Sequence, residues 1–302
     1  MSLSDVQRHI ARNLPANWEL FNESLAPILD RPLPAYSELP LAAASAVGGS
    51  LEAAIPVAAA WTVLQSAVRI LDDIQDRDRP LGYAMQLGPA RATNVASAML
   101  IFTHRLLQDN AWEMTREKAV LRLFQEEALL LAQGQDMDLQ GNATSMDDYW
   151  RLMEGKNGRL FSIALGCGAL TGSLAQALIS PCYKYGLHLG LMHQALDDYQ
   201  GMWEPEGAGD LMNGKVTLPL IYALTQKHQH STELLAWIRN QEIPERREEI
   251  LSILDEVNAR EFTLWTAKEE ATRACEQARR LPGIEGRETL IGYIETMLGT
   301  SV

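Results

Sequence analysis

Between residues 39 and 68 the only charged side chain is Glu52, which separates uncharged runs of 13 and 16 residues. Neither run reaches the roughly 18 to 20 residues needed to cross a bilayer, and Gly48, Gly49 and Pro56 interrupt the pattern. A helix this apolar on every side has to be surrounded by other helices. The stretch therefore reads as a buried helix of a soluble protein, continuing to about residue 77, with Pro56 a possible bend.

The rest of the chain supplies the surround. Helical spacing predicts segments over 17–29, 89–110, 115–134, 146–172, 181 to about 202, 216–229, 231–239, 243–277 and 287–298. Ser145 with Asp148 three residues later is a capping-box-like start for the fourth. Strand-like alternation bounded by turns is absent, as are repeats and flexible linkers, so residues 1–302 are read as a single all-α domain.

Charge narrows the partners. With 26 basic against 39 acidic residues the net charge is −13, and the long-range field repels nucleic acid and anionic membranes. Cys167, Cys182 and Cys275 are an odd number at scattered spacings, which signals neither a disulfide framework nor a zinc site and fits a reducing, cytoplasmic setting. The first residues show no basic segment followed by an apolar run, so no signal peptide is expected.

The apolar helix ends in "RILDDIQDRD". Asp72 and Asp76 are four apart and share a helix face, with Asp73 beside them. Bare carboxylates so placed repel one another, and an isolated run of this kind is ordinarily a solvated helix end. The pattern recurs, however, in "LGLMHQALDDYQGM", where Asp197 and Asp198 again close an apolar helix at its electrostatically unfavourable end. Mg2+, which prefers carboxylate and water oxygens and is commonly held with substrate phosphates, relieves both concentrations. Two such ends facing one cavity would hold a diphosphate and neutralise charge leaving an allylic C–O bond, with the apolar helices shielding a prenyl cation from water.

These motifs, with "AQGQDMDL" (Gly134, Gln135, Asp138), "EGKNGRLF" and "GDLMNGKVTLPLIYAL", resemble the polyprenyl synthetase family in order and spacing over about residues 45 to 225. The resemblance implies the isoprenoid synthase fold, one large helical bundle around a central apolar cavity. It implies Asp72, Asp76 and Asp197 as metal ligands for three Mg2+ bound with the diphosphate, with Asp73 and Asp198 orienting waters or completing the shell. Lys156 and Lys215 would pair with the allylic diphosphate and Gln194 would lie near the reacting centre; Asp210, Gly214, Thr217, Leu218 and Pro219 extend the second lysine motif. The second motif departs from the family at Gly201, where a third aspartate is expected.

Elongating members of the family bind a second diphosphate, of isopentenyl diphosphate, through a basic Gly-Gly-Lys-Arg segment, a histidine and a later arginine pair. Matching that segment to "AVGGSLEAA" leaves Gly48 and Gly49 without a following lysine or arginine, Gln65 at the histidine position, and Arg69, Arg77 and Arg79 as the only nearby cations. On that match the expectation is an enzyme that ionises a C15–C20 prenyl diphosphate, the length suggested by small Ala67 and Val68, with cyclisation, quenching or transfer to an uncharged acceptor. Conventional chain elongation is the alternative, and a non-catalytic helical partner subunit a further one. The family implies a homodimer. Trp61, Trp150, Trp203, Phe102 and Phe161 are candidates to face a cation, though aromatics at helical spacing are ordinarily core.

Overall fold

A computed structural model describes residues 3–76, 83–141, 143–203, 217–226, 229–240, 242 and 244–301. All regular structure among them is helical: α1 Leu3–Arg12, α2 Glu19–Ser24, α3 Ala26–Leu29, a 3-10 turn Ala35–Glu38, α4 Leu39–Ala46, α5 Leu51–Asp76, α6 Tyr83–Leu87, α7 Pro89–Gln108, α8 Met114–Leu139, α9 Met146–Met153, a π turn Glu154–Gly158, α10 Arg159–Gly172, α11 Gln176–Trp203, α12 Leu218–Thr225, α13 Ser231–Arg239, a 3-10 turn Pro244–Arg246, α14 Arg247–Glu256, α15 Ala259–Ala278 and α16 Ile284–Ser301.

The apolar helix α5 is the axis of the bundle. It packs against α4, α7 and α10, while α10 also meets α8 and α11, and α11 lies along α15. By length and composition α5 would cross a membrane, but 67% of its most apolar window is buried inside the protein. Trp61, Val57 and Ala58 to Ala60 are fully enclosed. A second apolar cluster gathers Met202, Leu220, Leu234, Ile250 and Leu254 near the far end of α11. The N-terminal Gly283 of the last segment hydrogen-bonds the Ala46 carbonyl at 2.8 Å, which lays α16 along α4.

Several boundaries differ from the sequence reading for local reasons. Pro181 lies inside α11 rather than opening it, and Pro56 lies inside α5. Each sits at the sixth helical position, where burial outweighs the one backbone bond a proline forfeits. The expected helix 243–277 breaks before Asn258, which adopts the left-handed conformation (φ 55°) that asparagine tolerates. The expected helix 17–29 is two short ones, and α8 continues five residues beyond 134. Ser145 does cap α9, its Oγ accepting from the Asp148 N–H at 3.1 Å. The expected helix 146–172 is interrupted by the π turn, and that interruption positions the site.

Candidate active site

The "EGKNG" stretch is wound one residue wider than an α-helix, a distortion frequent at functional sites. Glycines on both flanks let neighbouring helices come to backbone contact with it. A Cβ on Gly134 of α8 would stand 2.4 Å from the Gly155 backbone, and one on Gly190 of α11 would stand 2.2 Å from the Asn157 carbonyl oxygen. Real side chains do not fit at such distances, so these glycines fix how closely three elements converge.

That convergence sets Lys156 beside the first acidic end. Its ammonium donates to Asp138 of α8 and lies 3.7 Å from Asp72 Oδ1 on α5. Gln135, one turn before Asp138, donates to Asp72 Oδ1 at 3.3 Å and to Gln75 at 3.0 Å. Asp72 remains 37% exposed while Lys156 is only 18% exposed. A largely enclosed cation thus faces carboxylate oxygens that open towards solvent.

The next residue of the turn reaches the second acidic end. Asn157 donates to Gln194 Oε1 at 2.5 Å, and Gln194 donates to Asp198 Oδ1 at 2.6 Å. Asp198 is 2% exposed; its other oxygen accepts from the Tyr149 hydroxyl at 2.7 Å and the Leu218 N–H at 2.6 Å. Asp197, one residue earlier, is exposed. Adjacent aspartates on a helix point about 100° apart, so one faces outward while the other ties α11 to α9 and to the start of α12. The sequence reading had Asp198 orienting waters or completing the metal shell; in the structure its oxygens accept from Gln194, Tyr149 and the Leu218 N–H.

Asp73 is half-buried beside Asp72, and Asp76 closes α5. Arg77, Arg79, Asp210, Gly214 and Lys215 lie outside the described residues. Arg69 is exposed on α5 and close enough to Tyr36 to offset in part the upward shift that burial gives that phenol. Ala67 is fully buried and Val68 half-buried. Gly48 and Gly49 precede the N-terminus of α5, whose 26 residues span about 39 Å before Asp76. There Gly49 packs against Gly172, so the pair lies at the opposite end of the helix from the acidic patch. The lack of a lysine or arginine after these glycines therefore carries no information about a diphosphate site near Asp72, and the match of "AVGGSLEAA" to the basic segment is corrected.

Of the candidate aromatics, Trp61 and Phe161 meet (ring centroids 5.6 Å apart), whereas Phe102 packs on Phe21, Trp150 on Tyr149, and Trp203 on Tyr199 and Arg260. The sequence reading passed over Asn157, Tyr149, His193 and Tyr293. Asn157 and His193 each adjoin a singled-out residue; Tyr149 and Tyr293 carry no local signal of their contacts.

Among the described residues no trio of His, Cys, Asp or Glu side chains converges closely enough to hold a metal alone. The outward carboxylates, Asp72, Asp73 and Asp197, are hard oxygen donors, the type Mg2+ takes alongside water and phosphate oxygens. They fit an ion that completes its shell from substrate.

Residues 37–257 match the polyprenyl synthetase family. The chain belongs to that family. A geranylgeranyl diphosphate synthase of Mycobacterium tuberculosis is 32% identical over 209 residues, 65% of this chain and 59% of that protein. The octaprenyl diphosphate synthase of Escherichia coli is 28% identical over 267 residues, 83% of this chain and 80% of the relative. The chain thus spans about three fifths of the mycobacterial relative's length. Crystal structures of a Pyrococcus horikoshii geranylgeranyl pyrophosphate synthetase (TM-score 0.86, 19% identical, covering 97% of this chain and 94% of that one) and of a Caulobacter crescentus polyprenyl synthase complexed with calcium and isoprenyl diphosphate (TM-score 0.82, 21% identical, 98% and 94%) share the fold. The architecture of this family member is the all-α bundle of those solved structures.

Proposed function

We propose that this chain is a Mg2+-dependent trans-prenyltransferase that ionises an allylic prenyl diphosphate and joins its prenyl group to isopentenyl diphosphate, releasing pyrophosphate. The observation that carries the reading is the π turn. Its consecutive residues Lys156 and Asn157 touch the Asp72 end of α5 and, through Gln194, the Asp198 end of α11, so both acidic motifs adjoin one cationic turn. Relatives named geranylgeranyl, farnesyl and octaprenyl diphosphate synthase support elongation.

In this reading Asp72, Asp76 and Asp197 hold Mg2+, with three ions as the stoichiometry to be tested. Bound Mg2+ supplies positive charge that stabilises the leaving diphosphate. Lys156, steadied by Asp138, presents its ammonium to the same oxygens, and Lys215 is assigned the matching role. Arg69, Arg77 and Arg79 are assigned to the second diphosphate. Apolar α5 and α10 exclude water from the cation.

Of the departures behind an enzyme that cyclises, quenches or transfers to an uncharged acceptor, the missing basic residues after Gly48 and Gly49 no longer count, since those glycines lie at the other end of α5; Gln65 at the histidine position and the non-adjacent Arg77 and Arg79 remain, and the named relatives favour elongation over them. Incubating the protein and Mg2+ with geranyl, farnesyl or geranylgeranyl diphosphate, with and without isopentenyl diphosphate, decides the matter. Longer diphosphates formed only with the second substrate are expected. Cyclic or alcohol products formed without it would replace the proposal with the non-elongating reading, and no pyrophosphate from any arm would favour a partner subunit.

A homodimer fits Ile101 of α7 and Leu129 of α8, each 73% exposed. Sedimentation would measure its mass. Three buried free thiols support a reducing, cytoplasmic setting, with burial pushing the Cys182 thiol up to about 12.

A further inference from the structure

The residue that follows the π turn is tied down as firmly as the turn itself. Arg159, the first residue of α10, donates to Glu127 Oε2 of α8 at 3.1 Å and to the Tyr183 hydroxyl of α11. Tyr183 in turn donates to Glu127 Oε2 at 2.9 Å, so side chains from three helices close one ring. Glu127 is only 9% exposed and Arg159 30%. Burial, with the Glu127 charge beside it, pushes the Tyr183 phenol up to about 12, which keeps its proton in place to donate.

Helical spacing joins this clasp to the acidic ends. On α8, Glu127, Gly134 and Asp138 are seven and four residues apart and share a face. On α11, Tyr183, Gly186, Gly190 and Gln194 follow at intervals of three, four and four and share another. Each face carries the clasp at one end and close glycine contacts in its middle; a Cβ on Gly186 would stand 2.6 Å from the Phe161 carbonyl oxygen of α10. At the other end of each face is a polar partner of the turn, Asp138 for Lys156 and Gln194 for Asn157. We propose that Arg159, held by Glu127 and Tyr183, is a positioning residue: it locks the α8 and α11 faces in register on the π turn and so sets the Lys156 ammonium against the Asp72 end of α5. The inference rests on the function proposed above, in which that ammonium meets the leaving diphosphate.

The glycines set how closely the helices approach, but they hold the turn by contact rather than by directional bonds. A guanidinium supplies direction, because its planar fork fixes both distance and angle to a carboxylate. A lysine in its place would keep the charge and lose that geometry. Small slides matter for a charge that must meet oxygens as the C–O bond breaks, since a misplacement of about 1 Å costs on the order of a hundredfold in rate. Stability alone gives little reason for the ion pair, because apolar residues of similar volume commonly serve a buried site as well or better.

The test is a pair of mutant cycles against Lys156. Arg159→Lys and Tyr183→Phe are each made in the unaltered chain and in Lys156→Met, and Mg2+-dependent pyrophosphate release from farnesyl and isopentenyl diphosphates is measured. In the unaltered chain Arg159→Lys is expected to lower kcat about tenfold and Tyr183→Phe about threefold, with KM for farnesyl diphosphate held within about twofold. In Lys156→Met, itself slowed, neither should lower kcat further, because a residue that acts by placing the ammonium then has nothing to place. A fall of equal size in both backgrounds would mark the clasp as general scaffold and overturn the proposal; so would full activity in Arg159→Lys, or a rise in KM at unchanged kcat. Tyr183→Phe removes one hydroxyl and leaves the ion pair, so it carries the test if Arg159→Lys does not fold. If the unaltered protein releases no pyrophosphate, the proposed function fails and takes this inference with it; turnover with equal falls in both backgrounds defeats this inference alone.

Discussion

The two acidic helix ends look interchangeable in sequence, each an apolar run followed by paired aspartates, but they are built for different work. At the end of α5, Asp72 and Asp73 both keep access to solvent and are flanked by long flexible donors, Lys156 and Gln135. At the end of α11 only Asp197 faces out, and Asp198 is a buried strut receiving three hydrogen bonds from Gln194, Tyr149 and the Leu218 backbone. A doubled aspartate thus supplies one outward carboxylate and one internal fastener when neighbouring elements cover one side of the helix, and two outward carboxylates when they do not.

The sharpest way to break this comparison is to remove one carboxylate from each end. Asp72→Asn should cut Mg2+-dependent pyrophosphate release by about a thousandfold, the scale of losing charge stabilisation at a leaving group, with little change in the thermal midpoint. Asp198→Ala should instead destabilise the fold by about 3 kcal/mol, because it strands buried donors that now meet a carboxylate. Calorimetry and a pyrophosphate assay on both variants separate the roles; a stable Asp198→Ala protein would show that the buried strut is not structural.

A smaller effect tests what brings the ends together. Gly134→Ala puts a methyl group into the Gly155 backbone and should cost about 1 to 3 kcal/mol, the range for overpacking a close contact. It should also lower activity by displacing Lys156 from Asp138 and Asp72. Gly141→Ala is an uninformative control because its φ of 63° is itself unfavourable for alanine, whereas Gly292→Ala, with open space at its Cβ, is a suitable one. Activity lost equally in Gly134→Ala and Gly292→Ala would remove the crossing from the account.

Much of this was legible in the sequence because it is periodic or local. The apolar run of residues 53–68 dictates a buried helix, and its i, i+4 carboxylates dictate a shared face, whatever the rest of the chain does. What the sequence could not carry is contact between distant segments. Nothing in "EGKNG" announces a π turn, since the extra residue is accommodated by glycines of α8 and α11. The inward turn of Asp198 depends on Tyr149, 49 residues away. The glycine pair 48–49 misled for the same reason: its sequence resembles a phosphate-binding segment, but only the length of α5 reveals which end of the bundle it occupies.

The least effect belongs to His193, whose surroundings set it apart from the solvated acidic ends. Its pKa falls from 6.5 to about 4 on folding because burial disfavours the charged ring. The unfolded chain therefore binds the proton first, so stability is unaffected above about pH 7 and declines as pH falls from 6.5 towards 4. Between pH 7 and pH 5.5 the loss is about 1 kcal/mol from this residue. Tyr293 and Tyr36, the titratable neighbours on α16 and the 3-10 turn, are both shifted upward and stay neutral throughout this range. His9, also lowered by burial, lies on α1 and contributes equally to variant and unaltered protein. Urea unfolding at the two pH values should show His193→Phe losing about 1 kcal/mol less stability than the unaltered chain; identical losses would mean that the ring is as well solvated as Asp197, and the contrast between a buried ring and an open acidic helix end one turn away would fail.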